Sequence, residues 1–293
     1  MSIRHRRVNV GRLELHVAEL GSGPPVILLH GFPADWTDFR EQMEELAASG
    51  FRAIAPDLPG YGESDQLPAT GDYRSVSLTA DLAGLIRGLG LERAHVVGHD
   101  WGGTLAYCLA TEYPELVDRL VVINAGHPEL FRRALRRFEQ LRKSWYIFLF
   151  QLPWLPEWLV QQRAVVSLCT RSMEARAGAF SDADLDRHLA AMRVPGVARA
   201  AVSYYRAAFR APIRARGTLL HHTLVLWGDR DQALSGPLLL DELPELAPNV
   251  RVARFASAGH WLHHDLPEVV SRHLIQFLSA PAESSSVLES VPL

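Results

Sequence analysis

Asp100 stands in the run Val96-Val97-Gly98-His99-Asp100-Trp101-Gly102-Gly103. Gly98 and Gly102 flank it two residues to either side, after an apolar β-branched run and before the helix-like Leu105-Ala106-Tyr107-Cys108-Leu109-Ala110. That spacing belongs to a sharp strand-to-helix turn holding a nucleophile at its apex, where the glycines let strand and helix approach closely. Serine is the usual occupant, and aspartate changes the chemistry. A carboxylate has no proton to lose and is a modest nucleophile. It suits displacement at a strained or activated saturated carbon, which leaves an alkyl ester. Attack on an ester carbonyl would give an anhydride instead, an unpromising route. The alkyl ester must then be cleared by water attacking the carboxyl carbon of Asp100, a step that needs a general base and donors for an oxyanion.

The base is assigned to His260, in Ala258-Gly259-His260-Trp261 after the last apolar run. Its orienting carboxylate should follow the preceding run, where Gly228-Asp229-Arg230-Asp231 stands, and Asp231 is chosen over Asp229 because it lies further into the loop. The order nucleophile, acid, base is that of hydrolases with a strand-turn-helix nucleophile. No carboxylate directly follows Leu120 to Ile123, where Asn124-Ala125-Gly126 stands, so an alternative acid position is weakened. The two oxyanion N–H groups fall to Trp101 and, from the loop His30-Gly31-Phe32-Pro33, to Phe32. Removing one such donor typically costs about 3–4 kcal/mol in the transition state. Blander readings hold elsewhere. His260 and His264 share a metal-pair spacing but lack a third ligand motif, His30 and His99 read as loop-orienting, and Gly60-Tyr61-Gly62 lacks the third glycine of a nucleotide site. Arg132, Arg133, Arg136, Arg137, Arg142 and Lys143 read as one solvated helix face.

HGFP at 30–33 with Trp36 six residues after His30, GHDWGG at 98–103, GDRD at 228–231 and AGHW at 258–261 resemble the soluble epoxide hydrolases of the α/β-hydrolase superfamily. The resemblance covers nearly the whole chain except its C-terminal tail. It implies an α/β-hydrolase fold, conversion of an epoxide to a vicinal diol without cofactor or metal, and two lid tyrosines that protonate the epoxide oxygen. Tyr146, five residues before Gln151, and Tyr205, just before Arg206, match the family spacing, with Tyr204 the competing choice one position away. A phenol of pKa about 10 can donate to a developing alkoxide. Trp36, Trp145, His30 and Pro33 are the further candidates for substrate contact, and Trp145, Phe148, Phe150, Trp154 and Trp158 read as apolar lining for a small apolar or aromatic epoxide. Two other readings stand beside this one. A haloalkane or haloacid dehalogenase would use the same aspartyl ester but needs N–H donors for halide, which Trp101 could supply in part. A hydrolase-fold receptor would keep the shape without the chemistry, although such proteins often lose a triad member and here all three are present.

The elements that must position these residues are legible as alternation. Arg7 to Val10 and Leu13 to Ala18 read as a hairpin around Gly11; Val26 to Leu29, Phe51 to Pro56, Ala94 to Val97, Leu120 to Ile123, Thr223 to Trp227 and Val250 to Phe255 read as further strands. Helical segments at Trp36–Ser49, Ser77–Leu89 and Trp101–Tyr113 lie between them, so an α/β fold is expected: a mostly parallel eight-stranded sheet with helices on both faces. The alternation stops after Ile123. Glu129–Lys143, Glu157–Leu168, Asp182–Met192 and Ala198–Phe209 all read as helical, so residues 126–216 are assigned to an inserted helical lid. Residues 1–125 and 217–279 form the core, and 280–293, rich in Ser, Pro and Glu, a loose tail.

With 48% hydrophobic residues the chain is no disordered polypeptide, and a net charge of −3 gives no sign of nucleic-acid binding. Two cysteines make neither a disulfide framework nor a metal cluster, and a cytoplasmic location suits them. The basic start MSIRHRRVNV lacks the apolar core of a signal peptide. The apolar stretch Trp145 to Val160 is broken by Gln151, Pro153, Pro156 and Glu157, so no membrane span is expected. A homodimer is compatible with the sequence.

Overall fold

The computed structural model describes residues 2–215 and 217–280. Eight strands form one sheet in the order β1-β2-β4-β3-β5-β6-β7-β8. They are β1 Arg4–Asn9, β2 Glu14–Gly21, β3 Pro25–Leu29, β4 Arg52–Pro56, β5 Ala94–His99, β6 Val117–Ile123, β7 Thr223–Gly228 and β8 Val250–Phe255. The pairs β1–β2 and β2–β4 are antiparallel and all others parallel. Core helices are α1 Arg40–Ala48, α2 Ser75–Gly88 and α3 Trp101–Glu112. Between β6 and β7 come α4 Pro128–Ala134, α5 Phe138–Lys143, α6 Trp145–Leu149, α7 Leu155–Leu159, α8 Arg163–Cys169, α9 Asp182–Arg193 and α10 Val197–Arg210. The chain continues through α11 Gly236–Leu240, α12 Leu243–Leu246, α13 Leu262–Asp265 and α14 Pro267–Ser279.

A parallel sheet covered on both faces must be apolar on both faces, and alternate residues of each strand divide between two cores. Ile27, Leu29, Val96, Leu120, Val122 and Val225 point to the side of α2, α3 and α10. Val26, Leu28, Val97, Val121, Ile123, Leu224 and Leu226 point to the side of α1 and α14. This explains why the central strands read as unbroken apolar runs. The chain passes from β3 to β4 on one side, then returns to place β5 on the other side of β3. Such a reversal opens a crevice at the carboxyl ends of the strands. Leu29 pairs with Gly98, His99 with Ile123, Ile123 with Leu226, and Gly228 with Phe255. The loops after β3, β5, β6, β7 and β8 therefore emerge side by side on one edge.

Three expectations need correction. The segment from Trp36 begins as a 3-10 turn over Trp36–Phe39 before α1. The helix expected over Glu129–Lys143 is two helices, because α5 is pinned to the β7 loop. Gln140 is buried, donating to the Ala233 carbonyl and accepting from the Ser235 amide, and Arg137 is extended to let the chain turn. The helix expected over Glu157–Leu168 breaks likewise into α7 and α8. Among the described residues no helix is long and apolar enough to cross a membrane. Beyond Ala280, the tail expected over 280–293 lies outside the described residues.

Candidate active site

The turn after β5 puts Asp100 at φ 51° and ψ −117°, a conformation that costs a non-glycine residue about 1–3 kcal/mol. The neighbouring chain leaves no room for side chains at its flanks. A Cβ on Gly98 would lie 2.4 Å from the Gly102 carbonyl oxygen, and one on Gly102 would lie 2.0 Å from that of Leu29. The carboxylate sits at the N-terminus of α3, where unpaired helix N–H groups favour negative charge.

Its two oxygens differ. Oδ1 accepts from the Phe32 main-chain N–H at 2.9 Å. Oδ2 lies 3.7 Å from His260 Nε2. The other face of His260 is fixed by Asp231, whose Oδ2 is 2.8 Å from Nδ1. Asp231 is buried, and its charge is met by the amides of Ala233 at 2.7 Å and Leu234 at 2.9 Å and by Asn124 Nδ2 at 2.8 Å. Burial alone would raise the Asp231 pKa, but His260 and these donors hold it below the ordinary carboxylate range. Burial likewise pushes His260 down, and Asp231, then Asp100, outweigh it and raise the imidazole. Asp229, the alternative acid, pairs with Arg254 at 2.9 Å away from the histidine.

A cavity of about 260 Å³ opens above Asp100. Asp100, Trp101, Tyr146 and Tyr205 line it together, and its walls are chiefly apolar, from residues such as Phe131, Leu135, Ile147 and Phe209. The Tyr146 and Tyr205 rings are 5.7 Å apart, edge to face. Burial first, and the Asp100 charge second, raise both phenols above their ordinary value, so both remain O–H donors at neutral pH. Tyr204 faces elsewhere: it is fully buried and donates to the Pro59 carbonyl at 2.9 Å. The arginine after Tyr205 has a mechanical role. Arg206 donates to the carbonyls of Phe150 at 2.9 Å and Leu152 at 2.5 Å and pairs with Glu157, tying α10 to the segment that carries Tyr146.

None of the four further substrate-contact candidates lines this cavity. His30 uses both ring nitrogens away from the cavity, at 2.9 Å from the Gly31 carbonyl in its own loop and 3.0 Å from the Leu58 amide in the loop after β4. Pro33 is buried in the cis Phe32–Pro33 turn. Trp36 packs on His5 and His16, with its amide bound to Asp57. Trp145 is 57% exposed, and Trp154 and Trp158 are exposed too. The basic cluster is not one solvated face either. Arg132 borders the cavity while paired with Glu129, and Lys143 turns inward to the carbonyls of Asp231 at 2.5 Å and Leu234 at 2.8 Å.

Asn124 is the member of the site that the sequence reading passed over. At the carboxyl end of β6, with φ 41°, it accepts from the Gly228 amide at 2.9 Å while donating to Asp231. A polar residue closing an otherwise apolar buried strand was the available signal. Replacing Asn124 with Leu should leave an Asp231 lone pair unsatisfied at a cost of about 1–3 kcal/mol. The measurement is a thermal unfolding midpoint alongside turnover, and an unchanged midpoint would contradict the assignment.

The model of the α/β hydrolase fold family matches residues 24–267. The chain is 34% identical over 278 residues to the AB hydrolase superfamily protein YfhM of Bacillus subtilis (strain 168), covering 92% of this chain and 96% of that protein. It is 36% identical over 263 residues to epoxide hydrolase 3 of Xenopus tropicalis, covering 87% of this chain and 71% of that one. A crystal structure of the Bacillus megaterium epoxide hydrolase in complex with an inhibitor superposes with a TM-score of 0.86 at 28% identity, over 94% of this chain and all of that one.

Proposed function

The chain belongs to the epoxide hydrolases of the α/β-hydrolase fold, and from that premise we propose that it adds water to an epoxide, giving a vicinal diol through an alkyl ester on Asp100. One observation carries the reading: a carboxylate held by an amide on one oxygen and facing an imidazole with the other shares an apolar cavity with two phenols.

Asp100 Oδ2, free of an amide partner, attacks a ring carbon. The C–O bond of the strained ring breaks as a phenol O–H of Tyr146 or Tyr205 delivers a proton to the departing oxygen. Esterification removes the Asp100 charge, and with it one of the influences raising His260. His260 is thereby held more fully in the neutral form that can accept a proton at the step that uses it. It takes a proton from water as the water oxygen attacks Cγ. Negative charge then develops on Oδ1, which already lies at the Phe32 amide, and the adjacent free N–H at the start of α3 belongs to Trp101. Collapse of the tetrahedral adduct breaks the Cγ–Oδ2 bond; His260 returns its proton to the departing alkoxide, which leaves as the diol, and the proton of the new carboxyl group goes back to the tyrosinate, restoring the carboxylate and the phenol. Atoms balance as epoxide plus water. The apolar walls favour a small apolar or aromatic epoxide.

The test is a single turnover in water enriched in heavy oxygen, with protein in excess over styrene oxide. The label should enter Asp100 and be absent from the first diol. Labelled first-turnover diol would refute the covalent route. Halide release from a haloalkane panel with no diol from any epoxide would favour the dehalogenase reading instead.

A further inference from the structure

Behind the triad lies a buried cluster that the ester cycle does not use. Asp38, in the 3-10 turn before α1, is surrounded by the imidazoles of His99, at the end of β5, and of His263 and His264, in α13. His264 Nε2 donates to its Oδ1 at 2.7 Å. Its Oδ2 lies 3.0 Å from His263 Nε2 and 3.7 Å from His99 Nδ1. Yet these three atoms, all buried, make no hydrogen bond at all. Each buried polar atom left in that state costs about 1–3 kcal/mol, so three converging on one point need an explanation.

The tautomer of His99 sharpens the point. Its Nε2 is 3.0 Å from the His260 carbonyl oxygen, which can only accept, so Nε2 carries the proton. The neutral ring then presents a bare lone pair on Nδ1 beside a carboxylate oxygen. Two acceptors so placed repel unless positive charge lies between them. At His263, Nε2 is close to Oδ2 without hydrogen-bond alignment, as expected when both atoms address a third point rather than each other. The three atoms lie within 4.8 Å of one another. Ligands on a tetrahedral ion with bonds of about 2.0–2.1 Å stand about 3.3 Å apart, a spacing that the two measured separations bracket.

We infer that Asp38 Oδ2, His99 Nδ1 and His263 Nε2 bind a divalent cation of the zinc class. Two imidazoles and a carboxylate suit such an ion, and His264 supplies the outer hydrogen bond that orients the ligating carboxylate. The His260–His264 pair weighed from spacing alone is not the site: His264 touches the carboxylate and His260 belongs to the triad. None of the three ligands lines the cavity, so the ion would be structural. It would join the strand end just before Asp100, helix α13 just after His260 and the turn leading into α1. This inference does not depend on the esterification reading.

The test begins with the whole protein purified without chelator, then stripped and titrated with zinc or cobalt(II). One equivalent per chain should bind, with the visible absorption of four-coordinate cobalt and a raised unfolding midpoint. His263→Gln and Asp38→Asn should bind at least roughly 100-fold more weakly, and His264→Gln roughly 10- to 100-fold more weakly. Equal zinc uptake by wild type and these variants would mean an adventitious ion only and overturn the proposal. So would wild-type protein giving no stoichiometric binding and no cobalt absorption, a result that needs no variant to fold.

Discussion

Replacing His260 with glutamine should yield a protein that consumes one equivalent of epoxide and stops. In the proposed cycle alkylation of Asp100 does not need His260 as a base, since a carboxylate nucleophile has no proton to lose. Hydrolysis does need it: water attacking an unactivated ester without general-base help loses about 10²–10⁴-fold, and the ester accumulates. Intact-mass measurement should show the adduct, and peptide mapping should place it on Asp100. The size of the shift carries information. Ring opening expels nothing, so the added mass equals that of the whole epoxide, whereas displacement of halide would add the alkyl group alone. A matched His260→Gln protein carrying Asp100→Asn should stay unmodified. If His260→Gln, soaked in epoxides that the wild type turns over, never carries mass on Asp100, the covalent mechanism fails.

That experiment bears on residues whose placement could be read from the chain. Asp100 is announced by Gly98 and Gly102, because steric exclusion at the elbow is a local event within a few residues. His260 and Asp231 follow from the alternation, since a parallel sheet places successive loops on one edge. The rest was settled by contacts distant in sequence. Asn124 matters through Asp231, 107 residues away. The helix expected over Glu129–Lys143 breaks because Gln140 and Lys143 bind the β7 loop, about which helix periodicity says nothing. His30, Pro33 and Trp36 lie in the same motif-rich loop as Phe32, yet only the Phe32 amide reaches Asp100. A motif marks the loop, but the turn geometry decides which of its atoms enters the site. Asp38 gave no signal at all until α13 brought two histidines against it.

Tyr146 and Tyr205 are where a spacing argument and the geometry can be separated by measurement. Tyr146→Phe and Tyr205→Phe each remove a proton donor and keep the ring, so the edge-to-face packing with Phe150 survives. Removing both should lower the rate of Asp100 alkylation by about 10²–10⁴-fold, the usual share of general-acid catalysis. The loss should be smaller for either single variant, since one phenol remains to meet the departing oxygen. Hydrolysis of an ester already formed should be little affected, because in the proposed cycle that step turns on His260 and the Phe32 amide. Rapid-quench kinetics under single-turnover conditions resolve the two steps. Tyr204→Phe is the control for adjacency in sequence. It forfeits a buried hydrogen bond to Pro59, worth about 0.5–1.5 kcal/mol of stability, and should leave alkylation intact. Full alkylation rates in the double variant would remove the tyrosines from the mechanism. A defect in Tyr204→Phe rather than Tyr205→Phe would show that the neighbouring phenol, not the one lining the cavity, does the work.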